Sequence, residues 1–218
     1  MKLYIANGAP NCRRVQAVIN HLGLENLETE WLDFFTGDLR TDEYSALNPN
    51  RKVPTLEDGS LKLWESDAIM QYLADTKEEN DLFPKDPKSR ADIIRWQFWG
   101  VGHYNKDLGV IAWESILKPE FGLGDPDQHQ LNIAIENFKR YASILEKHLE
   151  CRDFIVGENW TLADYAIGHM EMFIDNVPID FTPYPNIVSF YKRLRDNSYW
   201  AETAPKTPEE FGRRPAAA

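Results

Sequence analysis

The sequence predicts a mixed α/β domain followed by a domain built of helices alone. Three observations carry that reading. Strand-like and helix-like segments alternate as far as Asp75, and an Asp58-Gly59 turn signal separates two strand-like runs. Beyond a proline-punctuated polar stretch, apolar residues recur only at helical spacing.

Lys2–Ala6 reads as the first strand, and Val15, Val18, Ile19 and Leu22 mark an amphipathic helix closed by Gly23. Leu27–Asp33 is the second strand. Thr55-Leu56-Glu57 and Leu61-Lys62-Leu63-Trp64 form a hairpin about Asp58-Gly59. Ile69, Tyr72 and Leu73 then follow Glu65-Ser66-Asp67 at helical spacing. The order βαβ then ββα matches a thioredoxin-like domain. The polar run from Thr76 to Pro87 reads as a connection. The expected division is 1–78 for the first domain, 79–88 for the linker and 89–218 for the helical domain.

Within the helical part, Ala91 to Trp113 lacks proline. Leu131, Ala134, Ile135, Phe138, Tyr141, Ala142, Leu145 and Leu149 trace a second helical stripe, with Asp125-Pro126-Asp127 between the two. Thr161-Leu162-Ala163-Asp164 is a capping-box variant, in which Thr161 caps and Asp164 reaches back. Pro183 and Pro185 precede another helix, Asn186 to Arg195.

Composition excludes several classes of function. With 218 residues and 43% hydrophobic content the chain can build real cores. A net charge of −11 disfavours nucleic acid and acidic lipid as partners, since phosphate binding needs Lys/Arg neutralisation. The chain starts directly in a strand, and no window approaches the roughly 18 apolar residues of a membrane span, so a soluble, cytoplasmic protein is expected. Cys12 and Cys151 supply no disulfide framework, and the five histidines (21, 103, 129, 148 and 169) have no metal-ligand spacing, so no metal is expected.

The ordered combination Val53-Pro54, Trp64-Glu65-Ser66-Asp67-Ala68-Ile69 and Tyr72-Leu73 resembles the glutathione-binding half of the cytosolic glutathione S-transferase family. The resemblance covers nearly the whole chain. It is strongest in the first domain and at Thr161–Asp164. It implies an α/β thioredoxin-like N-terminal domain plus an all-α C-terminal domain, a homodimer, and glutathione as co-substrate. Physical chemistry supports the assignment of parts. A free α-carboxylate needs N–H donors and a positive field, both found at a helix N-terminus. Ser66 stands at such a terminus, either as a plain N-cap or as a donor to the anion, while Glu65 and Asp67 can face an ammonium. The resemblance further implies a cis bond before Pro54, with the Val53 backbone pairing to the cysteinyl unit as an added strand. Arg51 and Lys52 would then sit beside the glycyl carboxylate.

The thiolate-stabilising group is where the chain departs from the family. The usual Tyr and Ser positions align with Ile5 and Ala9, so the nearest likeness is to bacterial members with a theta/delta- or nu-like N-terminal motif lacking both hydroxyls. Three candidates remain. Asn11, after Pro10 at the helix start, can donate an amide N–H to sulfur. Cys12, beside Arg13 and Arg14, is the second, since a thiol at a helix N-terminus has a depressed pKa. The third is the helix terminus itself. Arg13 and Arg14 fit either an anionic ligand or acidic partner nearby, or plain solvated surface charge. Trp99, His103, Tyr104 and Trp113 are the expected walls of a pocket for a small hydrophobic electrophile between the domains. The leading expectation is therefore a glutathione transferase. The alternatives are a non-catalytic domain of the same fold and a glutathione-dependent disulfide reductase.

Overall fold

The computed structural model describes residues 1–215 and divides into two compact units, Met1–Phe83 with the chain from Arg195 onward, and Pro84–Leu194. The boundary falls inside the expected linker, but Leu82 and Phe83 are buried rather than linking. The chain after Leu194 returns to the first unit, which a simple 89–218 domain does not include.

The first unit is a four-stranded sheet with helices, in the order β2-β1-β3-β4. Strand β1 (Lys2–Ile5) pairs in parallel with β2 (Glu28–Trp31) and antiparallel with β3 (Thr55–Asp58), which pairs in turn with β4 (Leu61–Trp64). The hairpin turn lies one residue later than the sequence signal indicates. Asp58 pairs with Leu61, so Gly59 and Ser60 are the loop, and only Gly59 takes a positive φ, at the first central position as in a type II′ turn. Helix α1 (Pro10–Leu22) has proline in its first turn and ends on Gly23 in the left-handed region. It packs against α3 (Ser66–Asp75), with Val15, Val18, Ile69, Met70 and Leu73 fully buried.

Sequence periodicity did not disclose α2 (Asp42–Leu47), a six-residue helix capped by the Thr41 side chain, which accepts from the Tyr44 N–H at 3.1 Å. Its Tyr44 hydroxyl donates to the Lys52 carbonyl at 2.6 Å and lies 2.9 Å from Thr55 Oγ1. The C-terminal segment closes over the loop between β1 and α1. Gly212 N–H donates to Asn7 O at 2.7 Å, and Phe34 N–H donates to Gly212 O at 2.8 Å. Gly8 has φ +71, and an added Cβ would meet both Phe211 and Pro205 at 3.0 Å, so a larger residue there is strained in conformation and requires both neighbours to give way.

The second unit is helical. Helix α4 (Pro87–Trp99) starts behind the Asp86 N-cap and runs through a wide π-type turn (Gly100–Tyr104) into α5 (Asn105–Ala112). A second wide turn (Trp113–Leu117) then leads to the short α6 (Lys118–Glu120). That second turn precedes Pro119, which has no N–H for an i−4 bond and crowds the carbonyl there, and a widened turn accommodates both. Helix α7 (Gln128–His148) is capped by Asp127. Helices α8 (Leu162–Gly168) and α9 (Pro185–Asp196) complete the unit. The short α10 (Ser198–Ala201) packs on α1 in the first unit. In α8 both halves of the expected capping box are present: Thr161 Oγ1 accepts from Ala163 N–H, and Asp164 accepts from Thr161 N–H at 2.8 Å.

Candidate functional site

A cavity of about 160 Å³ in the first unit is walled by Asn11, Asn48, Asn50, Lys52, Val53, Pro54, Glu65 and Ser66. Three backbone features converge on it. The Val53–Pro54 bond is cis. Its loop is held by Tyr44 and by Asn48, whose Nδ2 donates to Lys52 O at 2.8 Å and to Thr55 Oγ1 at 3.0 Å. The other two features are the N-termini of α1 and α3, brought together so that Ser66 Oγ donates to Asn11 Oδ1 at 3.3 Å. Two helix N-termini on one cavity give a positive field suited to an anion.

Ser66 is not the N-cap. Glu65 occupies that position with φ +71 and no side-chain capping bond, and Ser66 is the first helical residue. A non-glycine residue at positive φ costs on the order of 1–3 kcal/mol and persists where its surroundings over-determine it, often at functional sites. Ser66 is buried, and its hydroxyl is spoken for by Arg14, whose Nε and Nη2 both donate to Oγ, at 2.9 and 2.5 Å. Arg14 Nη1 lies 3.0 Å from Asp67 Oδ2, an ion pair without hydrogen-bond alignment.

Both arginines are buried, at 3% and 4% exposure, so the solvated-surface reading of the pair is overturned. Arg13 lies over the Trp200 ring at 4.4 Å and donates to Thr203 Oγ1 at 3.0 Å. Arg51 is exposed, has φ +54, and is not among the cavity walls, whereas Lys52 is.

Cys12 does not meet the requirement of an activated thiol. It is fully buried, its sulfur accepts from Ala6 N–H at 3.5 Å, and burial pushes the thiol up to about 12, outweighing Arg14 and that hydrogen bond. The expected depression at a helix start is thus reversed by desolvation. Cys151 is exposed. A thiol reagent at pH 8 is therefore expected to modify one cysteine, Cys151, in the native chain and both in denaturant. Rapid labelling of Cys12 in the native protein, read by peptide mass, would refute this. Ile5 and Ala9 are buried and offer no hydroxyl.

The four aromatic residues expected to wall an electrophile pocket separate. Tyr104 is fully buried in the second unit, with its hydroxyl 3.1 Å from that of Tyr191 and its ring against Phe138, so it is a core residue and not a wall. Trp99 stacks on Tyr104 and also lines a cavity of about 580 Å³ with Trp96, Ile144 and His148, rimmed by Arg95 and Lys147. His103 is exposed and stacks on Tyr141, and Trp113 is 41% exposed. This larger cavity lacks the paired helix N-termini, so the smaller one is the candidate site. Among the described residues no cluster of His, Cys, Asp or Glu is arranged to hold a metal, and no helix is long and apolar enough to cross a membrane.

A thioredoxin-like unit carrying a polar cavity at two helix N-termini, joined in one chain to a helical unit, defines the class. Residues 3–81 match the glutathione S-transferase N-terminal domain and residues 107–197 the glutathione S-transferase C-terminal domain. Glutathione S-transferase D7 of Drosophila melanogaster is 29% identical over 208 residues, spanning 94% of this chain and 84% of the relative. A delta-class glutathione transferase of Nilaparvata lugens is 32% identical, with a TM-score of 0.78 and coverage of 93% of this chain and 92% of its own. The theta-class glutathione S-transferase of the citrus canker pathogen Xanthomonas axonopodis pv. citri, solved with glutathione bound, is 25% identical, with a TM-score of 0.82 and coverage of 94% and 97%. The chain belongs to the glutathione S-transferase family.

Proposed function

We propose that this chain is a glutathione S-transferase that binds glutathione in the cavity of the first unit and presents its thiolate to a small hydrophobic electrophile. The observation that carries the reading is the convergence of the α1 and α3 N-termini, with Asn11 and Ser66 in contact, beside the Val53 backbone. The γ-glutamyl carboxylate is taken by the free backbone N–H groups of the first turn of α3, beginning with that of Ser66, and Glu65 faces the ammonium. The Val53 backbone pairs with the cysteinyl unit as an added strand, and Lys52 and Arg51 are the cations for the glycyl carboxylate. Asn11 Nδ2 donates to the sulfur and stabilises its anionic form. The thiol proton passes to solvent. A sulfur lone pair then forms the new bond to the electrophile, whose leaving group departs with the bonding pair. Trp99, His103 and Trp113 are the aromatic groups offered to the co-substrate.

Glutathione is the only small-molecule cofactor in this reading, and no metal is required. The protein acts as a homodimer in the cytoplasm, in detoxification of reactive electrophiles. Titration calorimetry with glutathione tests the reading at its base: no heat, together with no change in Tm at millimolar glutathione, would overturn it. Binding without turnover across a broad electrophile panel would favour a non-catalytic domain. Reduction of a model disulfide that survives Cys12→Ala, without conjugation, would favour the reductase, with glutathione itself as the thiol.

A further inference from the structure

Ser66 Oγ has two lone pairs and one hydrogen. Arg14 fills both lone pairs with Nε and Nη2. The remaining hydrogen can go only to an acceptor, and the group within reach is Asn11, at 3.3 Å. This count decides which way the Asn11 carboxamide turns: its oxygen must face Ser66, because an N–H there would meet an oxygen with no lone pair left. Nδ2 is then the end of the amide presented to the cavity, with no partner among the described residues. We propose that Arg14 is a positioning residue for the thiolate chemistry, fixing the Ser66 hydroxyl and, through it, the carboxamide of Asn11 with its donor toward the sulfur.

This inference rests on the functional reading above and adds a cause to it. A carboxamide has a donor end and an acceptor end of nearly the same shape, and only the donor end stabilises an anion. The acceptor end would repel it. Asn11 is exposed, so packing alone does not choose between them. Arg14 is held in turn by its own burial and by Asp67. A planar guanidinium can place two N–H groups on one oxygen, whereas a lysine ammonium approaches it as a single point donor. Arg14→Lys therefore keeps the charge, frees a lone pair on Ser66, and lets the Asn11 amide turn over.

The experiment measures the ultraviolet absorbance of enzyme-bound glutathione thiolate against pH, together with the glutathione Kd. The wild-type chain comes first. Failure to bind glutathione, or binding without a lowered thiol pKa, overturns the functional reading and this inference together. If the wild type does both, Arg14→Lys is expected to reduce the thiolate fraction at neutral pH roughly tenfold, with Kd changed less than about threefold. In an Asn11→Ala background the same substitution is expected to have no further effect on the thiolate. An unchanged thiolate in Arg14→Lys overturns the inference and leaves the functional reading standing. An equal loss with and without Asn11 does the same, because Arg14 would then act by field or by fold. Should Arg14→Lys fail to fold, Ser66→Ala removes the hydroxyl that orients the Asn11 amide, at the cost of two unpaired Arg14 N–H groups. Comparison with the same substitution in the Asn11→Ala background separates loss of that orientation from loss of fold or of glutathione binding. A tenfold thiolate loss that requires Asn11 supports the proposal, and an unchanged thiolate, or an equal loss in both backgrounds, overturns it.

Discussion

Asn11→Ala is expected to lower kcat for conjugation by roughly 10²- to 10³-fold, the range found when one preorganised donor to a developing or stabilised anion is removed. Glutathione affinity should change little, because in the proposed reading the carboxylate and peptide contacts lie at the α3 terminus and the Val53 backbone rather than at Asn11. The loss is expected in the pH profile as well. With the donor gone, the bound thiol titrates at higher pH, so the variant recovers part of its rate as pH rises while the wild type has already levelled off. Steady-state kinetics across pH, with glutathione saturating, provide the check. A kcat within a few-fold of wild type would remove Asn11 from the mechanism. The helix N-terminus would then be the remaining group, since Ile5 and Ala9 have no hydroxyl and Cys12 is a buried, protonated thiol.

The parts of this molecule that were legible in the sequence are those written in local signals. Strand β1, helix α1 with its Gly23 stop, the β3–β4 hairpin, the long stripe of α7 and the capping box at Thr161 all depend on residues within a few positions of each other. The parts that were not legible depend on distance or on a change of period. The sequence leaves Arg14 open between an anion-facing cation and a surface one because its partner Ser66 is 52 residues away. The N-cap role stays open for Ser66 because nothing in a sequence shows that Glu65 takes a positive φ and occupies that position. Helix α2 is too short to show a stripe, although Thr41-Asp42-Glu43 is the composition of a helix start. It nevertheless carries the Tyr44 hydroxyl that fixes the cavity loop.

Tyr104 illustrates the change of period. Read at 3.6 residues per turn, His103 shares the Trp96–Trp99 face, and Tyr104 is a candidate wall just beyond it. The wide turn at Gly100–Tyr104 adds a residue to the turn and rotates everything beyond it. Tyr104 is carried into the core and His103 to the surface. Gly100 sits at the start of that turn, where an added Cβ would come within 3.1 Å of both Ile167 and Asn105 side-chain atoms. The C-terminal return to the first unit is likewise invisible to periodicity, because it is made by a four-residue helix and by contacts between residues far apart in sequence, such as Trp200 with Arg13 and Gly212 with Asn7 and Phe34.

The largest stability effect is expected at Asp164, which is fully buried and accepts three hydrogen bonds, from Ile155 N–H at 2.7 Å, Thr161 N–H at 2.8 Å and Thr161 Oγ1 at 2.9 Å. Asp164→Ala leaves two buried backbone donors and a hydroxyl without an acceptor. At about 1–3 kcal/mol for each unsatisfied group, with partial relaxation, the loss is roughly 3–5 kcal/mol of unfolding free energy. The effect also carries a pH signature. Burial pushes the Asp164 carboxyl up to about 7, against the three hydrogen bonds that hold it down. In the unfolded chain the same group titrates near its ordinary value of about 3.9. Between those two values the native chain keeps a proton that the unfolded chain has released, so stability is fully present at low pH and declines as pH rises toward 7. Asp164→Ala removes that slope. Its deficit relative to wild type should therefore be larger at pH 5 than at pH 8, by an amount on the order of a few kcal/mol. Urea denaturation of both proteins at the two pH values decides the matter. Parallel pH dependence in wild type and variant would show that Asp164 is ionised throughout, with its three donors outweighing its burial. A variant as stable as wild type at both pH values would show that the cap is dispensable.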